Sequence, residues 1–135
     1  MTAGYSGTPL AKKLSLKAGQ RAWFANMPPD VRSEIAPEEI GLVILGAPEA
    51  PIDAAHVFVT ERRRLEEAVA RLLPLLAPAG FLWVSWPKKA SKVPTDITED
   101  VIRAVALPTG LVDVKVCAVD EIWSGLKLMI RRDRR

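Results

Sequence analysis

Runs of apolar residues alternate along this chain with stretches in which apolar side chains recur every three or four positions. The runs at 20–26, 42–45, 55–59 and 81–86 read as strands. Short continuous apolar runs are what a parallel sheet buries on both faces. After the third run, Leu65, Ala68, Val69, Leu72, Leu73 and Leu76 form one helical stripe, and Glu61, Arg62, Arg63, Glu66, Glu67 and Arg71 make the wet face. Thr60 is placed to cap this helix, and Pro74 to bend its last turn. Pro78, Ala79 and Gly80 read as a turn into the fourth strand. Val101, Ile102, Val105 and Ala106 are the inner face of a second helix. Thr98 is its N-cap, Glu99 and Asp100 suit its positive end, and Pro108 and Gly110 close it.

Residues 111–119 alternate, which predicts Val112, Val114, Val116 and Ala118 on one side of a strand. A short polar turn, "DEIWSG", then leads into a last strand over "LKLMIRR". Gly4, Ser6 and Gly7 predict a flexible start. Thr8 fits an N-cap with Pro9 at the first helical position, and Leu10 and Leu14 share a face of that short helix. Prolines at 28, 29 and 37 leave room only for short helical pieces, best placed at 30–35. Strand-helix-strand alternation predicts a mostly parallel sheet with right-handed crossovers, and the short final turn makes the last strand antiparallel to its predecessor. We expect an α/β fold, a single three-layer domain over residues 1–135. An N-terminal arm with its short helix takes 1–19 and a basic tail 131–135.

Charge and composition narrow the function classes. The net charge of +3 is concentrated in "RRDRR". Setting aside those four arginines and one aspartate leaves 15 basic and 15 acidic residues, so the body is neutral, with no excess from which to build a nucleic-acid-binding face. The tail reads as a solvated terminus that is able to touch an anionic partner. The single cysteine, Cys117, excludes an internal disulfide and a cysteine-based metal site, and its strand-like neighbours predict a buried thiol. His56, the one histidine, has no partner at metal-ligand spacing and is expected to pack at a strand start. We expect no metal and no cofactor. The most apolar region, 68–86, is broken by Arg71, Pro74, Pro78 and Gly80, which argues against a membrane span. With no apolar leader at residues 1–20, a cytoplasmic location is expected.

Crossovers finished by a terminal hairpin resemble the later half of class I methyltransferases. That resemblance implies a strand order of second, first, third, fourth, sixth, fifth. It also implies a methyl-donor site over a glycine-rich turn after the first strand, with an acidic residue ending the second. Here the first turn reads Asn26-Met27-Pro28-Pro29 and the second Gly46-Ala47-Pro48-Glu49. The glycines that permit close backbone approach are missing and proline removes N–H donors, so the usual cofactor site is expected to be absent. The strings "GYSGTPLAKKL", "LKAGQR", "WVSWPKKASKVPTDITEDVIR" and "GLVDVKVCAVDEIWSGLKLMIRR" resemble the bacterial domain-of-unknown-function family 3052 over nearly the whole chain. Ser15 and Pro108-Thr109 depart from it where Gly-like and Ala-rich residues are expected. That family carries no established activity to transfer.

Open α/β sheets bind ligands beyond the carboxyl ends of their strands. On that edge Asn26, Thr60 and Ser85 can supply hydrogen bonds, Lys88 and Lys89 positive charge, and Trp123 a stacking surface. Thr95, Asp96 and Thr98 stand at a helix N-terminus, which suits an anion. These residues predict a small anionic ligand, such as a phosphate or nucleotide. The plainer alternative is a solvated lysine loop beside an ordinary cap. Asp120 and Glu121 are adjacent and point apart, and Ser124 lacks a His or Asp at triad-like spacing, so neither predicts catalysis. The other class of reading is a protein-interaction or homodimer module. It rests on Trp23, Trp83, Trp86 and Trp123. Trp83 and Trp86 differ in parity along one strand, so one of them is a candidate for a face without helix cover.

Overall fold

Six strands form where the apolar runs fall in the computed structural model, which describes residues 8–135. They are β1 (Arg21–Ala25), β2 (Val43–Ile44), β3 (Ile52–Phe58), β4 (Leu76–Pro87), β5 (Leu111–Ala118) and β6 (Trp123–Ile130). Their order is β2-β1-β3-β4-β6-β5. The first four are parallel, and β6 runs antiparallel between β4 and β5. This is the order that the resemblance to class I methyltransferases implies. The helices are α1 (Leu10–Lys13), α2 (Pro29–Ile35), α3 (Pro37–Ile40), α4 (Arg62–Leu72) and α5 (Glu99–Ala106). Gly4, Ser6 and Gly7 lie outside the described residues.

Alternate strand residues feed two cores, one on each face of the sheet. On one face Val57, Leu82, Val84, Trp86, Leu126 and Leu128 pack with Leu65, Val69 and Leu72 of α4 and Ile102 and Ala106 of α5. On the other, Ala22, Ala54, Phe58, Phe81 and Trp83 meet Leu10 and Leu14 of the N-terminal segment and Val31 and Ile35 of α2. Each Leu or Ile so buried contributes about 1.5–3 kcal/mol. Trp83 and Trp86 do point to opposite faces, but both are buried, so neither marks an uncovered surface. The Trp83 indole N–H donates to the Leu14 carbonyl at 2.9 Å. Arg103 of α5 reaches Glu99 at 2.7 Å on its own helix and Asp113 of β5 at 2.9 Å, which ties helix to sheet. Among the described residues, no helix is long and apolar enough to cross a membrane.

Several local expectations are corrected. β2 is a two-residue edge strand with Val43 47% exposed, because no further strand covers its outer side. Residues 78–80 lie inside β4 and not in a turn before it. Ile52 pairs with Leu76 and Ala54 with Phe81, so the intervening part of β4 bulges out. A Cβ on Gly80 would stand 2.6 Å from the Ile52 carbonyl oxygen, so glycine is what lets the bulge close against β3. Helix α4 ends at Leu72, and a 3₁₀ turn around Pro74 delivers Leu76 to β4. Thr60 does not cap α4, because the chain stays extended through Glu61. The Arg62 N–H instead donates to Asp96 at 2.7 Å, a cap supplied from the loop before α5. Pro9 precedes α1 and is not its first residue. His56 sits in the middle of β3, not at its start. In β5 the alternation breaks at Val114, where the pairing with β6 slips between Asp113 and Lys115. One extra residue inverts parity, so Val112 and Val116 fall on opposite faces, and Val114 and Val116 are 50% and 44% exposed.

Candidate functional site

Of the hollows at the carboxyl ends of the strands, two are spacious, and a third of about 190 Å³ lies beside Asn26 and Arg64. The larger, about 500 Å³, lies between the end of β4 and the start of α5. Trp86, Pro87 and Ile97 supply its apolar wall, and Lys89, Lys92, Thr95, Thr98 and Glu99 its polar one. Its shape comes from the loop. Lys92 adopts a left-handed backbone (φ 61°) that reverses the chain after a 3₁₀ turn. The Ser91 hydroxyl donates to the Lys88 carbonyl at 2.6 Å and accepts from the Val93 N–H at 3.2 Å. Thr95 donates to the Thr60 carbonyl at 2.6 Å, which fastens the loop to the end of β3. Thr98 caps α5 as expected, its hydroxyl accepting from the Val101 N–H at 3.2 Å. The first-turn N–H groups of Glu99 and Asp100 have no intrahelical partner. Glu99 is held by Arg103 at 2.7 Å, which offsets its charge beside the two lysines.

The smaller hollow, about 430 Å³, is lined by Asn26, Phe58, Val59, Thr60, Glu61, Arg64 and Trp123. It lies between β1 and β3, where the crossovers change direction, the usual ligand position of an open α/β sheet. Asn26 takes a left-handed conformation (φ 59°), and Pro28 and Pro29 then open α2 with no side-chain cap. Met27 packs into the adjoining core. Trp123 meets Phe58 edge to face at 5.1 Å, held by the Asp120 carboxylate, which accepts from the Trp123 N–H at 2.7 Å.

The expected site residues are therefore divided. Asn26, Thr60 and Trp123 share the smaller hollow, and Lys89, Thr95 and Thr98 the larger. Lys88 lines neither; its N–H is tied to the Ile122 carbonyl at 2.7 Å, which fixes the chain where β4 leaves the sheet. Ser85 is fully buried, with its hydroxyl 2.7 Å from His56 Nε2. Adjacent strands bring this pair together from 29 residues apart, a proximity with no sequence signature. Burial pushes His56 down to about 3. Enclosure of Ser85 and the lack of a carboxylate hydrogen-bonded to His56 among the described residues make the pair a buried structural contact. Lys92 and Arg64 were not anticipated; Lys92 stands in the lysine-containing loop, and only the left-handed turn shows that it faces the hollow. No group of three or more His, Cys, Asp or Glu able to hold a metal is present among the described residues.

No protein-family model matches the chain, and no curated protein matches it. Solved structures do resemble it. An S-adenosylmethionine-dependent methyltransferase from Aquifex aeolicus superposes with a TM-score of 0.62 at 14% identity, over 90% of this chain and 87% of that one. A methyltransferase from Pyrococcus furiosus gives 0.58 at 12% identity, covering 90% and 80%. Magnesium protoporphyrin IX methyltransferase from Synechocystis PCC 6803, with bound S-adenosylmethionine, gives 0.58 at 9% identity, covering 90% and 74%. At these identities the likeness is one of fold. The chain has the Rossmann-like fold of class I S-adenosylmethionine-dependent methyltransferases.

Proposed function

We propose that the chain is a non-catalytic domain of methyltransferase fold that lacks a working methyl-donor site and binds a small anionic ligand between β4 and α5. The observation that carries this reading is the pairing of Lys89 and Lys92 with the open first turn of α5 around one hollow of about 500 Å³. A helix N-terminus favours negative charge through its free N–H groups and its dipole, and two ammoniums add to that field. Loss of the donor site is supported by Pro28 and Pro29, which bring no N–H to the turn after β1, although the hollow beside Asn26 stays open because Met27 packs into the core.

Thermal-shift titration of the full chain with inorganic phosphate and with nucleoside monophosphates tests the site. Stabilisation that disappears in Lys89→Ala plus Lys92→Ala is the expected result, and an identical shift in that variant overturns it. Isothermal titration with S-adenosylmethionine is expected to give no tight binding, and a tight complex would refute the loss of the donor site. A second reading, a self-associating module, draws on Val114, Val116 and Ile122, which stand 50%, 44% and 42% exposed around the free edge of the sheet. Light scattering during size exclusion decides it: a dimer with no anion-induced shift favours self-association.

A further inference from the structure

The arithmetic of a neutral body conceals where the charges sit. Every ion pair among the described residues, seven in all, uses an arginine and none a lysine. Around α1 and the β5–β6 hairpin, Lys13, Lys17, Lys115 and Lys127 gather, and none of them has a carboxylate partner among the described residues. Residues 1–7 contain no acidic side chain that could supply one.

Three of these ammoniums are fixed by neutral acceptors. Lys13 donates to the Ala118 carbonyl at 2.9 Å, Lys115 to the Lys13 carbonyl at 3.1 Å and Lys127 to the Ser15 hydroxyl at 3.0 Å. Lys127 also lies 4.7 Å above the Phe81 ring. Lys115 and Lys127 are direct partners across β5 and β6. Like charges in that position repel, so the pairing opposes stability. Burial, and then the charges of Lys115 and Lys17, pull Lys127 below the usual lysine range. A lysine array held together against its own repulsion is complementary to an external polyanion.

We infer that the α1/β5–β6 face is a docking surface for a nucleic-acid phosphate backbone. The array lines neither hollow and spans three chain segments, which suits a polymer reached by several charge contacts better than a small ligand, which needs a concave site. Lys115 and Lys127 spring from cross-strand positions whose Cβ atoms stand about 5 Å apart, and their ammoniums are anchored by the Lys13 carbonyl and the Ser15 hydroxyl. A repeating phosphate backbone can exploit such a fixed array, whereas a fluid anionic lipid surface gains little from it. The missing overall excess of basic residues does not weigh against this face, because the acids of the same hairpin are not paired with its lysines: Asp113 is held by Arg103 and Asp120 accepts backbone N–H groups of its own turn.

Fluorescence anisotropy of a labelled mixed-sequence RNA oligonucleotide with the full chain tests the assignment, over about 50–200 mM KCl. Lys17→Gln plus Lys115→Gln is expected to weaken binding about tenfold at the low-salt end. The slope of log affinity against log salt should become about 1.4 shallower, since each lost contact to a single strand accounts for about 0.7. Lys17→Gln alone, in an exposed loop, should lower the slope by about 0.7 and guards against a folding defect in the double variant. Arg63→Gln, on the exposed side of α4 across the sheet, should leave both readouts unchanged. The inference is overturned if the native chain does not bind at low salt, or if the double variant matches it in affinity and slope. It is equally overturned if only alanine replacement of Arg131, Arg132, Arg134 and Arg135 abolishes binding, or if phosphatidylserine vesicles are bound and RNA is not.

Discussion

His56 is a buried base whose protonation the fold resists, and this makes a pH dependence that can be worked out from its surroundings. Its ring stacks on Phe58 at 4.4 Å, and its Nε2 lies 2.7 Å from the Ser85 hydroxyl. Burial removes the water that would solvate an imidazolium, and the folded-state value falls from 6.5 to about 3. The unfolded chain takes up a proton as pH drops through about 6.5, and the folded chain does not. Between those two values the unfolded state binds more protons, so stability declines as pH falls, by about 1.4 kcal/mol per pH unit. By about pH 5 the loss amounts to about 2 kcal/mol, a large share of a typical domain's stability. Urea unfolding of the native chain and of His56→Gln, at about pH 7.5, 6 and 5, reads this directly. Gln keeps a polar atom near Ser85 but does not titrate, and the carboxylates cancel in the difference between the two proteins. The native chain should lose stability relative to His56→Gln as pH falls. Parallel curves would show that His56 charges freely in the fold and refute the reasoning.

Other perturbations follow from single contacts. Gly80→Ala would place its Cβ 2.6 Å from the Ile52 carbonyl and 3.0 Å from that of Ala77, both backbone atoms. The bulge in β4 must shift to accommodate it, at a cost of about 1–3 kcal/mol in urea unfolding. Asp96→Ala removes the acceptor of the Arg62 N–H, and Thr98→Ala that of the Val101 N–H. Each should lower stability by about 1 kcal/mol. A neutral result for Asp96→Ala would mean that α4 does not depend on the loop before α5.

How much was legible in the sequence depended on whether a feature is periodic or pairwise. The stripe of Leu65, Val69 and Leu72 and the cap at Thr98 are local, set by helix geometry and by one hydroxyl meeting one N–H three residues on. Strand directions followed from connection lengths, since crossovers enforce parallel pairing and the short turn at 119–122 an antiparallel one, whereas the strand order was implied by the resemblance to class I methyltransferases. The alternation in β5 misled, because a single bulged residue at Val114 exchanges the faces of everything after it, and nothing in a period-two pattern marks that slip. The candidate site divided in the same way. Thr95 and Thr98 could be placed by the helix they precede, whereas Ser85 turned inward because the sheet gave it His56 as a partner. Composition fixed the near-balance of the body's charges but not their location. Arginines took the carboxylates within and between helices, and α1 folding beside the β5–β6 hairpin left lysines gathered on one face. The sequence by itself determined the elements and the directions of the strands, because those depend on neighbours along the chain. Tertiary structure alone decided which hollows open and where charge accumulates, because those depend on atoms brought together across it.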